Sequence, residues 1–378
     1  MNTILKNKKY NVKVVTTLTL IPFAGIFGTI WYIWNFGVVW QEPCLLFIFW
    51  IITGLGITVG YHRLFSHRSF KSHPILDWIM VICGAAALEN SALKWCSDHR
   101  RHHKHLDTDN DPYSITKGFF HAHIGWILEN KPDPIEKVKD LEEKQALRFQ
   151  YKYYFPLFII FGILIPIALG CLWGRPIGAL FWGVLLRITL VHHFTYFINS
   201  LCHYIGVKPY DPNSTSGDAW YVALLTFGEG FHNYHHKFQW DYRNGIHWFH
   251  FDPSKWLIWI LSKIGLAKEL KKANYLQIMK VRSMAIWNQI YECLEETPDL
   301  VSQSYYQKLT HIKNKIRIIE NSWLAAENNL ASHHHGPTQH LLVKQMLQKQ
   351  KKKYHLEYQT IIKSLSVMLI TIQNGQFI

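Results

Sequence analysis

None of the six cysteines of this 378-residue sequence, at 44, 83, 96, 171, 202 and 293, forms a Cys-x-x-Cys pair. That spacing argues against a zinc ribbon and a disulfide framework, and the apolar runs around most of them suit a reduced or lipid setting. No Gly-x-Gly-x-x-Gly turn follows a strand, so nothing signals a nicotinamide or flavin fold. Charge is scarce too: 17% of residues are Asp, Glu, Lys or Arg, against 49% hydrophobic and 15% aromatic. This excludes a disordered tail, and no nucleic-acid partner is expected even though 40 Lys and Arg exceed 26 Asp and Glu. What the chain has in excess is 16 Trp and 23 His.

From Val14 to Trp34 no charged residue occurs, and at about 1.5 Å rise per residue the run crosses a hydrocarbon core of roughly 30 Å. Trp31, Tyr32 and Trp34 end it as an interfacial belt, unlike the small-residue end of a cleavable signal. Further spans are expected at Cys44–Val59, after a turn at Gln41–Pro43, and at Phe155–Trp173 and Ile177–Leu201, joined at Gly174-Arg175-Pro176. The apolar stretch Ile75–Leu88 is too short for a fifth and contains Asp77, so it reads as a buried or interfacial helix. Lys6, Lys8, Lys9 and Lys13 precede the first span, the loop 35–43 has no Lys or Arg, and the third span is followed only by Arg175. Both termini and the segment 62–152 are therefore expected on the cytoplasmic side.

That side would gather every dense histidine cluster. His62 and His67, five apart, point about 140° from each other on an ideal helix and can converge only if the helix bends. His99, His102 and His103 share the i, i+3, i+4 face of a helix, and His232, His235 and His236 repeat the pattern. Neutral imidazole suits zinc, copper, nickel and iron, and eight such ligands are too many for one tetrahedral zinc, so two metals are expected. Asp98, Asp107, Asp109, Asp111 and Glu229 lie close enough in sequence to accept the second ring N–H of these ligands, or else serve as caps and turn residues.

The strings GYHRLFSHR (60–68), DHRRHHKHLDTDNDPY (98–113), NSLCH (199–203) and FGEGFHNYHHKFQWDYR (227–243) closely resemble the membrane fatty acyl desaturases of the stearoyl-CoA, delta-9, type. The resemblance covers roughly residues 10–270. It implies an all-α integral membrane protein with four transmembrane helices and a cytoplasmic helical cap holding a histidine-box di-iron site. The eight histidines above become ligands, His203 a ninth, and Asn199 a ligand through water. Zinc could substitute for the two irons. The implied reaction is O2-dependent insertion of a cis double bond into a saturated acyl chain held in a narrow apolar tunnel, where Trp95, Thr195 and Tyr196 match tunnel residues. His105 stands where the family usually carries an aromatic and is not expected to be a ligand.

The acyl carrier is where the sequence departs from the animal enzymes. Of the basic residues that meet coenzyme A phosphates there, Ser97 replaces one, and Asn130-Lys131 replaces an Arg-Lys pair, so that only Lys131 remains. Free acyl-CoA is expected to bind less tightly, or acyl carrier protein or a lipid to take its place. The electrons should come from a protein such as a b-type cytochrome or ferredoxin, since no His-Pro-Gly-Gly motif of a fused cytochrome follows residue 270.

The chain thus reads as a membrane desaturase domain with its cap, 1–270, and a basic helical extension of unassigned role, 271–378. Residues 268–378 carry 15 Lys and Arg against 8 Asp and Glu, which suits a solvated or anionic-lipid-facing surface. A hydroxylase or ketolase of the wider histidine-box group would use the same ligands. A histidine-rich metal transporter would need polar ligands at mid-bilayer; the first three spans are read as offering none, and Arg187 as the ionisable residue deep in the fourth.

Overall fold

A computed structural model describes residues 10–130, 134–136, 138–295, 299–332 and 337–375. Lys131 lies outside them. The chain divides into two compact units, Met1–Lys208 with Asn213–Lys272, and Pro209–Pro212 with Ala273–Ile378.

Among the described residues of the first unit, four helices are long and apolar enough to cross a membrane: Val12–Phe36, Gln41–Ser66, Tyr154–Cys171 and Pro176–Ser200. The second and fourth are 56% and 50% buried by the rest of the protein, against 11% and 28% for the first and third, so they form the inner pair. The turn between the first two spans falls at Gly37–Trp40, not at Gln41–Pro43, which already belongs to the second helix. Proline's fixed φ fits a first helical turn, and Glu42 Oε2 accepts the Val39 N–H (3.3 Å) there. Buried Glu42 also pairs with Arg175 (2.9 Å), so the one basic residue after the third span is neutralised within the protein.

Arg187 is fully buried, and its guanidinium donates to the carbonyls of Gly183 (3.2 Å), Ala86 and Gly162 (2.6 Å). It ties the fourth span to its neighbours and is occupied by backbone. The short apolar helix Pro74–Ala85 buries Leu76, Asp77, Met80 and Val81 and exposes Ile75 and Ile79, as an interfacial helix does. Helix Ala92–Lys104 starts on a Ser91 cap, and its last turn carries Arg101 and Lys104, cations that suit the negative end of the helix dipole. A two-stranded antiparallel ladder, Lys71–Ser72 with Ala267–Lys268, closes the unit near the end of the second span.

The second unit is helical, Tyr275–Glu295, Asp299–Ser332 and Pro337–Gln373. Its buried side chains include Ile278, Ile290, Leu309, Trp323, Tyr358 and Leu365.

Candidate metal centre

The second span reaches the site as a π-helix over Gly56–Ser66, closed by the His67 N–H on the His62 carbonyl (3.1 Å). A turn built on i→i+5 bonds brings the fifth residue back over the first. The rings of His62 and His67 consequently lie 4.7 Å apart, and the 140° divergence of an α-helix disappears.

Among the described residues, nine histidines form two groups whose nitrogens lie within 4.8 Å of one another: His62, His67, His99, His103 and His235, and His102, His203, His232 and His236. In the first, Nε2 of His62 faces that of His235 at 3.0 Å, His67 faces His99 at 2.8 Å, and His103 faces His235 at 3.0 Å. In the second, His232 faces both His203 and His236 at 3.0 Å, and His102 faces His236 at 3.3 Å. Each triad serves both groups. His99 and His103 point one way and His102 the other, because residues i and i+4 diverge by about 40° while i+3 turns off on the opposite side. His235 leaves His232 and His236 in the same manner.

Two of the outward nitrogens face carboxylates. His62 Nδ1 meets Glu229 Oε2 at 3.0 Å, and His102 Nδ1 meets Asp111 Oδ1 at 2.9 Å. Glu229 sits between two glycines for steric reasons. Gly228 has φ +102°, where a Cβ would lie 2.5 Å from Asp252 Oδ1, and one on Gly230 would lie 2.3 Å from the Ala223 nitrogen. Arg63 (2.9 Å) and Asn244 (2.6 Å) donate to the same carboxylate. Burial would raise its pKa, but His62 and Arg63 bring it down to about 2.

The Asp107 carboxylate reaches His203 through Thr215, whose hydroxyl meets His203 Nδ1 at 2.7 Å. Asp98 pairs with Lys94 (2.5 Å) and Arg101 (3.1 Å). Asp109 is exposed, and its carbonyl accepts Lys117 Nζ (2.8 Å), a turn role. His105, at the helix C-cap, belongs to neither group.

Burial, then neighbouring imidazoles, holds His67, His99, His103, His203, His235 and His236 well below the ordinary histidine range and His232 at about 3. Convergent imidazole nitrogens, with His62, His102 and His203 braced at Nδ1, fit two first-row transition-metal ions, one per group, and do not fit calcium or magnesium.

A cavity of about 340 Å³ runs from His62, His99 and Glu229 to Lys13 and Val14 of the first span. Trp95, Thr195, Tyr196 and Asn199 all line it. Trp95 stacks on His99 with centroids 4.9 Å apart. Glu89, which sequence reading took only as the end of an apolar run, accepts from Thr195 (2.8 Å) and Trp95 Nε1 (3.4 Å) in the wall, and burial pushes its carboxyl up to about 8. Tyr113, whose hydroxyl stands 3.4 Å from His99 Nδ1, and Thr215 also escaped that reading, since neither residue type advertises a role beside a ligand.

A family profile described as Fatty acid desaturase matches residues 42–259. The chain is 41% identical over 257 residues to a probable acyl-CoA desaturase of Schizosaccharomyces pombe, covering 66% of this chain and 52% of that protein. It is 39% identical over 250 residues to acyl-CoA desaturase 1 of Saccharomyces cerevisiae, covering 63% and 49%. It is likewise 39% identical over 232 residues to an sn-1 stearoyl-lipid 9-desaturase of Anabaena variabilis, covering 61% and 83%. The chain spans about half the length of the two yeast relatives it matches.

Proposed function

The chain belongs to the fatty acid desaturase family, and on that premise we propose that it is an O2-dependent oxidoreductase that introduces a cis double bond, at the delta-9 position, into a saturated acyl chain. The observation that carries this reading is the pairing of nine convergent imidazoles with a largely apolar cavity that begins at their edge. Two irons would be held by the five-histidine and four-histidine groups, with Asn199 contributing through water, and zinc would fit the same imidazoles. Bound there, iron supplies the O2 chemistry that breaks an unactivated methylene C–H bond, which no side-chain base can do.

The protein's own part is to position and to exclude water. Ile57, Leu88, Tyr196 and Ile198 offer an acyl chain apolar walls, and Trp95, stacked on His99, fixes the wall nearest the first group. Two electrons come from a redox protein such as a b-type cytochrome or ferredoxin. Arg175, neutralised by Glu42, and the basic segment before the first span support a cytoplasmic placement of both termini and the metal centre.

The acyl carrier follows from Ser97 and Lys131. Ser97 is buried, its hydroxyl accepts the Glu136 N–H (2.8 Å), and it has no charge to offer a phosphate. Free acyl-CoA therefore binds less tightly than in the animal enzymes, or a carrier-protein or lipid-linked chain replaces it, in keeping with the likeness to both acyl-CoA and stearoyl-lipid enzymes. Competition between stearoyl-CoA and the other two forms on purified enzyme tests this. Tight, Lys131-dependent stearoyl-CoA binding with no turnover of the others would end it.

Mass spectrometry of lipids from cells expressing the chain tests the activity. New cis-monounsaturated chains are expected with the unaltered protein and none with His235→Ala. A hydroxylated or keto product, or metal accumulation with unchanged lipids, would overturn the reading.

A further inference from the structure

His203 differs from the other eight ligands in having no histidine partner within its own stretch of chain. It follows the fourth span alone, and its nearest ligand, His232, is 29 residues away. Its ring therefore has to be aimed from outside its own segment. Its Nδ1 lies 2.7 Å from the Thr215 hydroxyl, which in turn lies 2.6 Å from Asp107 Oδ1, while the Thr215 N–H donates to Asp107 Oδ2 at 3.0 Å.

The hydrogen count admits one arrangement with the ligand lone pair free. A hydroxyl has a single proton, and an ionised carboxylate can only accept, so the Thr215 proton goes to Asp107. The Thr215 oxygen must then accept from Nδ1–H, which leaves the lone pair on Nε2, 3.0 Å from Nε2 of His232. Asp107 is itself locked. Its backbone has φ +61°, its N–H donates to Asp111 Oδ2 (3.3 Å), and Asp111 is the carboxylate that holds His102 in the same group.

We propose that Thr215 is a positioning residue for His203, transmitting the Asp107 carboxylate to that ring and fixing its metal-binding tautomer. The proposal rests on the two-metal reading and deepens it. It assigns the His102, His203, His232 and His236 group to one loop, 105–113, which orients His102 directly through Asp111 and His203 indirectly through Asp107 and Thr215. The His62 group is instead braced by Glu229. Loss of Thr215 should accordingly loosen one metal of two.

The test uses the full chain in detergent, loaded with iron or with cobalt, whose visible spectrum reports ligand number. Thr215→Val keeps the side-chain shape without the hydroxyl. It should retain the first equivalent as the unaltered protein does and release the second about 10 to 100 times faster to a chelator, with a changed cobalt spectrum. Asp107→Asn should move the same equivalent, and Thr215→Ser should restore it. Thr215→Val or Asp107→Asn holding both metals with unaltered release would overturn the proposal while leaving the metal centre standing. An unaltered chain that binds no metal would overturn both. If Thr215→Val fails to fold, Asp107→Asn and Thr215→Ser still decide the matter.

Discussion

Oε2 of Glu229 lies 3.0 Å from Nδ1 of His62, a contact between residues 167 positions apart that joins the π-helical end of the second span to the Gly-Glu-Gly turn. Because Arg63 follows His62 directly and grips the other carboxylate oxygen at 2.9 Å, ligand and brace are clamped as one unit.

Glu229→Gln is expected to weaken metal retention about 10- to 100-fold, measured by chelator competition. The pH dependence has a definite sign. A carboxyl lowered from 4.5 to about 2 contributes stability above its unfolded value, and that contribution is lost as pH falls from about 4.5 through 2. The glutamine variant should lack this acid limb in thermal unfolding. Unchanged metal release and an unchanged limb would break the assignment.

Alanine at His99, His103, His232 or His236 should abolish double-bond formation while membrane insertion persists. His105→Ala should keep most activity, since His105 stands at a helix C-cap outside both groups. A His105→Ala variant as inactive as His103→Ala, in lipid analysis of matched expression levels, would show that the grouping is wrong.

Glu89 titrates in the opposite sense to Glu229. Its folded pKa is raised to about 8, so its contribution is full below the unfolded value of 4.5 and is lost as pH rises through about 8. Glu89→Gln should therefore gain stability relative to the unaltered protein on going from pH 5 to pH 8, on the order of a few kcal/mol at most. Melting curves at the two pH values in one detergent measure the difference, and a constant offset would count against a neutral carboxyl in the cavity wall.

Tags placed at the two termini should be accessible from the same side of a sealed vesicle, the cytoplasmic one. Opposed accessibility would remove the four-span arrangement and, with it, a single face for the histidines.

Residue pattern alone supplied the spans, because a long apolar run with at most one charge has one economical solution in a bilayer, and it supplied the two triads, because i, i+3 and i+4 meet on any helix. It also gave Asp111 and Glu229 as candidate neighbours of the ligands, since Asp111 lies in the loop that follows one triad and Glu229 just before the other. Tertiary structure decided the rest. Whether His62 and His67 converge depended on a π-helical turn, a backbone choice their spacing left open. Helix angles part His102 from His99 and His103, but which histidines complete each group depended on where the neighbouring helix ends approach. Asp107 and Asp109 stand two residues apart in one acidic loop, yet one is gripped by Thr215 from 108 positions away and the other faces solvent. Local spacing determines which side chains can share a face. Which of them meet is set by long-range packing, and no periodicity in the chain encodes that.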